Sequence, residues 1–466
     1  MSYDWPRATD ETVSLADLAE QKEWKKLTVA LSSAKQRSGT ANHQAQPDGT
    51  TALHWAVHHQ NVAAVQSLLA AKADPNAKNN YLVSPLYLAC ESGSAKIAIS
   101  LIAGGSKTDE VLAGGESLLM VAARTGEPEI VSALIENKAD VNVRDKKGQT
   151  ALMWAAAEGN TAVVKMLIAA GAKLDVKCGN QFDALMFATR QGKIETVCCL
   201  LDAGLDVEAV MKTNGGGRNP RSGTAPLLMA VESGHFELAL ELVKRGANPN
   251  DQRSGFAPLH VLSWVRKPKV GENPDGDPSP RGSGNIHSLQ FVKELVRLGA
   301  DVNLKLRNGS GGRANLNTKG ATPFLMAADT ADLPLMKLLL ELGANPKLTN
   351  ADDTSALMAT CGIGVSAVGE EPGTEPEVLL AVKFLVRIGL DINHVDKRKE
   401  TPMHGAAYHN YPQVVSLLDK LGADPKVWNI RNKWGANPID IASGKRPGSF
   451  KPSPETVAAL RKALEK

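Results

Sequence analysis

The residues best suited to chemistry in this 466-residue chain are its histidines and cysteines. His54 and His58 stand four apart in a helical stretch, a spacing at which two imidazoles can face one metal ion. His404 and His409 stand five apart and are discounted in the same way. Neither pair has an Asp, Glu or Cys placed beside it as an obvious third ligand, so the expectation is no metal and no other cofactor. Cys90, Cys178, Cys198, Cys199 and Cys361 show no zinc-ligand spacing. A disulfide between the adjacent Cys198 and Cys199 would be strained. The five read as small hydrophobes in a reducing compartment. No phosphate loop, no Gly-x-Ser-x-Gly and no His-Glu-x-x-His is present, and these are the short motifs that carry nucleophilic, metal or phosphate chemistry. The chain is therefore expected not to be an enzyme. A catalytic centre would have to be assembled from inserted loops or repeat side chains.

The elements that position these residues are repeated. Thr51-Ala52-Leu53-His54 returns as Ser84-Pro85-Leu86-Tyr87, Ser117-Leu118-Leu119-Met120, Thr150-Ala151-Leu152-Met153 and Asp183-Ala184-Leu185-Met186, each 33 residues on. A fixed period of this size marks a stacked solenoid. The first tetrad residue is mostly a helix N-cap type. Pro85, Pro226, Pro258, Pro323 and Pro402 follow it, at the first helical position, where proline costs no hydrogen bond. Gly93, Gly126, Gly159, Gly192 and Gly234 close the first helix, with Gln60 and Asn410 in their place in two copies. A second apolar helix then ends in a turn such as Gly299-Ala300-Asp301-Val302-Asn303.

Taken in that order, these motifs resemble the ankyrin repeat. The resemblance covers roughly nine-tenths of the chain. It implies an all-α ankyrin-repeat solenoid of about eleven helix-turn-helix repeats with β-turn fingers, whose fingers and inner helices make a concave face. It also implies that the tetrad histidines hold adjacent turns by hydrogen bonds. With its long inserted loops, the chain is similar to bacterial multi-repeat members of the family, a group that often carries an export signal. The expected organisation is an extended segment at 1–13, capping helices at 14–47, one repeat array at 48–436, and a degenerate last repeat with a capping helix at 437–466.

Spacing within the repeats locates insertions at about 212–223, 266–286, 304–320 and 362–377. Loop length is thermodynamically cheap, so their clustering after residue 205 is more informative than their presence. Two lie in fingers and contain no Asp or Glu over 211–223 and 304–320. They carry Lys212, Arg218 and Arg221, and Lys305, Arg307, Arg313 and Lys319. They read either as an electropositive rim for an acidic partner or as ordinary solvated loops. The insertion with Glu370, Glu371, Glu375 and Glu377 is expected on the opposite edge.

The residue after each tetrad reads Trp55, Leu88, Val121, Trp154, Phe187, Met229, Val261, Met326, Ala359 and Gly405. In the family this position lies near the groove. Trp55, Trp154 and Phe187 are larger than packing demands, and Trp is enriched at interface hot spots. Trp154 is expected to be a contact, since Ala155, Ala156 and Ala157 do little to cover it, and Phe187 a packing residue.

The 53 basic and 50 acidic residues nearly cancel, which gives no global drive toward nucleic acid or an anionic membrane. No apolar run approaches a membrane span, and Met1–Asp10 lacks the regions of a signal peptide. The chain is expected to be cytoplasmic and monomeric, or exported if Met1 stands in place of a removed leader. The function expected is non-catalytic binding of another protein through the concave face and fingers. The alternatives are an enzyme site in the inserted loops of repeats five to nine, and an acidic-ligand or nucleic-acid site on the basic fingers.

Overall fold

A computed structural model describes residues 14–34, 46–179, 181–212, 222–268, 279–311, 315–446 and 451–465. Among them the regular structure is helical, with an isolated bridge between Val111 and Ser117. Contacts divide the chain into two compact units, one ending at Leu205 and the other starting at Asp206. The division falls where the regular repeats end and the insertions begin.

Each repeat is built as its residue types require. Thr51, Ser84, Ser117, Thr150 and Asp183 each accept the backbone N–H three residues on, satisfying an otherwise orphaned helix donor. Pro85, Pro226, Pro258, Pro323 and Pro402 all start helices. In unit one the inner helices Ala52–His58, Pro85–Glu91, Leu118–Thr125, Ala151–Glu158 and Ala184–Arg190 pack in succession. The outer helices Val62–Ala70, Ala95–Ala103, Pro128–Glu136, Thr161–Ala169 and Ile194–Asp202 form the second layer. Their apolar sides meet in a core that includes Leu68, Leu101, Leu134, Leu167 and Leu200, all buried.

Two devices tie repeat to repeat. The last Asn of the Gly-Ala-Asp-x-Asn turn reaches the next turn: Asn142 donates to Gly171 O at 3.2 Å and accepts from Lys173 N at 2.8 Å. Asn76, Asn250, Asn303 and Asn393 repeat this pattern. Fingers join through single backbone bonds, such as Lys146 N to Gly114 O at 3.1 Å and Gly179 N to Lys147 O at 3.1 Å. The motif thus keeps its geometry by carrying its own inter-repeat hydrogen bonds.

The glycine that closes an inner helix sits at positive φ, as at Gly159 (φ 83). Gln60 holds the same conformation at φ 54 and is exposed. A side chain there costs on the order of 1 kcal/mol relative to glycine. Gln60→Gly is therefore expected to stabilise unit one by about 1 kcal/mol. Denaturant unfolding would show it as a higher midpoint at unchanged slope.

Candidate binding surfaces

The histidines are committed to the fold. His54 bonds Thr51 through Nδ1 and Val83 O through Nε2, at 2.8 and 3.0 Å. His404 does the same with Thr401 and Ile430 O, at 2.9 and 3.1 Å. His260 spans Leu304 O and Ala321 O, at 3.0 and 3.2 Å. Burial pulls His54 below its ordinary value and takes His260 and His404 down to about 4. His58 packs edge-on against Trp55, with ring centroids 5.5 Å apart. His409 is buried and stacked on Tyr411 at 4.4 Å, and burial with the nearby Arg446 charge lowers it to about 3. Among the described residues no group of three or more His, Cys, Asp or Glu is placed to hold a metal. Cys90, Cys178 and Cys361 are buried, while Cys198 and Cys199 are half-buried. Burial pushes the Cys90 thiol up to about 12, and Cys361 up as well, which keeps them protonated and unreactive.

The position after the tetrad behaves differently in the two units. In unit one Trp55, Leu88, Trp154 and Phe187 are half-buried, and only Val121 is covered. Trp55 Nε1 donates to Gln46 Oε1 at 3.0 Å, and its ring stacks on His59 at 5.7 Å. Trp154 carries the Arg124 guanidinium 5.2 Å from its ring centroid, within cation–π range. Its Nε1 is buried without an acceptor among the described residues. Arg124 also faces Glu91 at 3.9 Å, and Glu91 accepts from Tyr87 Oη at 3.2 Å. Phe187 leans on Phe182 at 5.2 Å. Burial alone does not separate Trp154 from Phe187. In unit two Met229, Val261, Met326, Ala359 and Gly405 are all buried.

The two lengthened fingers share one construction. Met211 N donates to Thr224 O and Gly223 N returns to Met211 O, at 3.0 and 2.7 Å. Leu306, Ala321 and Gly320 repeat this at 3.0 and 2.8 Å. Each insertion is thus an excursion from an intact finger base anchored by a buried residue, Met211 or Leu306. Lys212 and Arg307 follow those anchors at equivalent positions. Lys212, Lys305, Arg307 and Lys319 are exposed. Arg218, Arg221 and Arg313 lie outside the described residues.

The insertion at 362–377 is not segregated from the basic finger at 304–320, contrary to the expectation of opposite edges. A Cβ at Gly364 would lie 2.6 Å from Leu316 N, so the two loops touch. The finger's returning limb is drawn in by side chains far away in sequence. Arg398, itself paired with Asp352, donates to Asn315 O at 3.2 Å, and Asn350 donates to Asn317 O at 2.8 Å. Buried Arg446 holds the other loop through Tyr408 O and Val365 O. Between the loops and the inner helices Pro258–Arg266 and Pro323–Asp329 lies a cavity of about 240 Å³. Its apolar wall is Phe256, Trp264, Leu316, Met326, Val365 and Pro372. Phe256 and Trp264 meet edge-on at 4.9 Å. Ser263 and Thr330 supply hydroxyls, and Lys267 pairs with Glu377 at 2.7 Å. Sequence reasoning missed this site. Its signal was Leu316, the one large apolar residue in an otherwise polar stretch from 308 to 320.

Comparison with known proteins agrees with this architecture. The family model for ankyrin repeats matches in three copies, over residues 25–111, 86–178 and 119–211. The single ankyrin-repeat model matches 222–254 and 398–433. "Ankyrin repeat and SOCS box protein 16" of Mus musculus is 27% identical over 232 residues, 47% of this chain and 47% of that protein. "Ankyrin repeat, SAM and basic leucine zipper domain-containing protein 1" of Dasypus novemcinctus is 29% identical over 136 residues, 29% of this chain and 24% of that protein. The chain thus spans half or less of the length of these relatives. Both are mammalian, and the likeness to bacterial proteins finds no support in them. Among the described residues no helix is long and apolar enough to cross a membrane.

Proposed function

Because the chain belongs to the ankyrin-repeat family, we propose that it is a non-catalytic scaffold that binds another protein. It does so through the inner-helix face of unit one and the basic fingers of unit two. The observation that carries this reading is the row of half-exposed Trp55, Leu88, Trp154 and Phe187 at one register position. Large aromatic residues left partly open on a rigid surface are interface anchors. Arg124 and Glu91 beside Trp154 supply a charged rim.

The experiment is site-specific photo-crosslinking in an extract of the source organism. A benzoylphenylalanine at position 154 should capture a defined partner. The same group on an outer helix at exposed Ile99 should not. Identical adducts from both sites, or none from 154, would overturn the reading. Thermal melting separates the two aromatics: Phe187→Ala should lose roughly 2–3 kcal/mol as a packing residue, and Trp154→Ala less. A greater loss for Trp154→Ala would reverse the two roles.

The basic fingers fit a steering role. Lys212, Lys305, Arg307 and Lys319 are exposed, so changing them to Ser should slow association with the captured partner at low salt and leave folding nearly unchanged. A nucleic-acid reading gains nothing specific, since these loops carry no aromatic residue to stack on a base.

A further inference from the structure

The cavity of unit two has a chemistry of its own. Its polar lining includes Asn315 and Thr318, which can donate, and the Glu371 carboxylate, while on the inner-helix side Asp329, Ser263 and Thr330 present acceptors. Ser263 Oγ gives its hydrogen to His260 O at 2.9 Å, and Thr330 Oγ1 gives its hydrogen to Ala327 O at 3.2 Å. Both hydroxyls are buried. A hydroxyl that has already donated has only lone pairs to offer. Lys267, the one cation in the lining, is engaged by Glu377. The rest of the lining is apolar and aromatic, with the Trp264–Phe256 pair, Leu316 and Met326.

Size narrows the choice. An apolar cavity of roughly 150 Å³ accommodates benzene. Scaled by ring atoms, an indole needs about 230 Å³ on the same basis. The cavity measures about 240 Å³. A fused aromatic ring with one N–H donor therefore matches the volume, the apolar wall and the acceptor wall together. An aliphatic side chain would leave the acceptors unmet, and a ligand rich in acceptors would face lone pairs on the inner-helix side.

We propose that this cavity is a receptor for an indole, presented as a tryptophan side chain of the bound protein. Leu316 of one inserted loop and Val365 and Pro372 of the other supply the part of the pocket that the inner helices do not. The inference rests on the protein-binding reading above, to which it adds a specific anchor. The indole slides between Trp264 and Leu316, and its N–H reaches the Ser263 and Thr330 lone pairs. Nothing covalent is involved.

The test uses the whole chain with methyl-¹³C methionine, and Met326 as the reporter, assigned through Met326→Leu. Three probes are titrated: indole, benzothiophene, which is the same shape without the N–H, and N-acetyltryptophanamide. Indole should shift the Met326 signal and bind about five- to tenfold more tightly than benzothiophene, the worth of about one net hydrogen bond. Ser263→Ala should shrink that preference to about twofold or less by removing one acceptor. Leu316→Trp fills the pocket from an inserted loop and should abolish the response to all three probes. Circular dichroism and the remaining methionine signals establish that this variant folds. N-acetyltryptophanamide should bind within a few-fold of indole.

Equal affinity for indole and benzothiophene overturns the acceptor-wall argument. No Met326 response to any probe overturns the site itself. Binding of indole without N-acetyltryptophanamide overturns the polypeptide source and leaves a free small aromatic. These results are independent of crosslinking at position 154. Failure there with indole binding intact sinks the inner-face reading alone, and the reverse sinks only the pocket.

Discussion

Asp332→Ala is expected to cost unit two about 3–4 kcal/mol. Asp332 is 1% exposed and receives Arg266 through both oxygens, at 2.7 and 3.1 Å. It also caps the helix Leu333–Glu341, accepting from Leu335 N at 3.1 Å. Arg266 ends the inner helix of the seventh repeat and reaches Ser288 on the outer helix as well. One carboxylate thus joins the helices of two repeats at the point where a long insertion separates them. Removing it leaves a largely buried guanidinium unpaired, which is the costly way to break such a pair, and deletes a cap worth about 1 kcal/mol. Asp332→Asn keeps a capping oxygen and loses only the charge, so its cost should fall between wild type and Asp332→Ala. Hydrogen exchange at the amides of Leu333–Glu341 gives the local reading. A loss under about 1 kcal/mol for Asp332→Ala would mean that Arg266 finds solvent without penalty.

That pair shows what the repeat pattern carries and what it leaves out. The helix starts were legible because Thr51, Ser84 and Thr150 act within three residues of themselves. The repeat-to-repeat ties were legible as a motif, since Asn142 and its equivalents recur at the same place in the turn. The insertions were legible as lengths but not as shapes. Arg398 meets Asn315 across 83 residues, and Arg266 meets Asp332 across 66. No periodicity encodes contacts of that span. For the same reason the cavity did not emerge from the sequence, although Leu316 stood out among polar neighbours. The stripe after the tetrad was readable as apolar, but its exposure was not. Met326 is covered by packing with Leu316, Phe256 and Trp264, while Trp154 has Arg124 over its ring and remains half open.

Glu400→Gln should remove a loss of stability that rising pH otherwise imposes on unit two. Glu400 is buried in a finger and accepts from Tyr408 Oη at 2.8 Å and from Asn432 Nδ2 at 2.9 Å. Burial, reinforced by the Asp396 carboxylate, raises it from 4.5 to about 7. The unfolded group titrates near its ordinary value. Below that value both states are protonated, and the raised pKa exacts no penalty. Between 4.5 and 7 only the folded state holds the proton, so stability falls as pH rises. Above about 7 the full penalty is present, roughly 3 kcal/mol for a shift of this size. The buried histidines act in the opposite sense. His260 and His404, at about 4, and His409, at about 3, are neutral in the fold and protonate on unfolding below their ordinary 6.5. They add stability as pH rises through that range. The wild-type profile is therefore a sum of opposed slopes, and only a comparison isolates Glu400. In the Glu400→Gln variant the amide oxygen can still accept both hydrogen bonds, and the amide protons cost the same at every pH. The stability difference between Glu400→Gln and wild type should accordingly move in favour of the variant by roughly 3 kcal/mol between about pH 4.5 and about pH 8. Urea unfolding at a series of pH values measures it. Parallel profiles for the two proteins would show that Glu400 ionises in the fold as easily as in water, and that the Tyr408 and Asn432 donors already offset its burial.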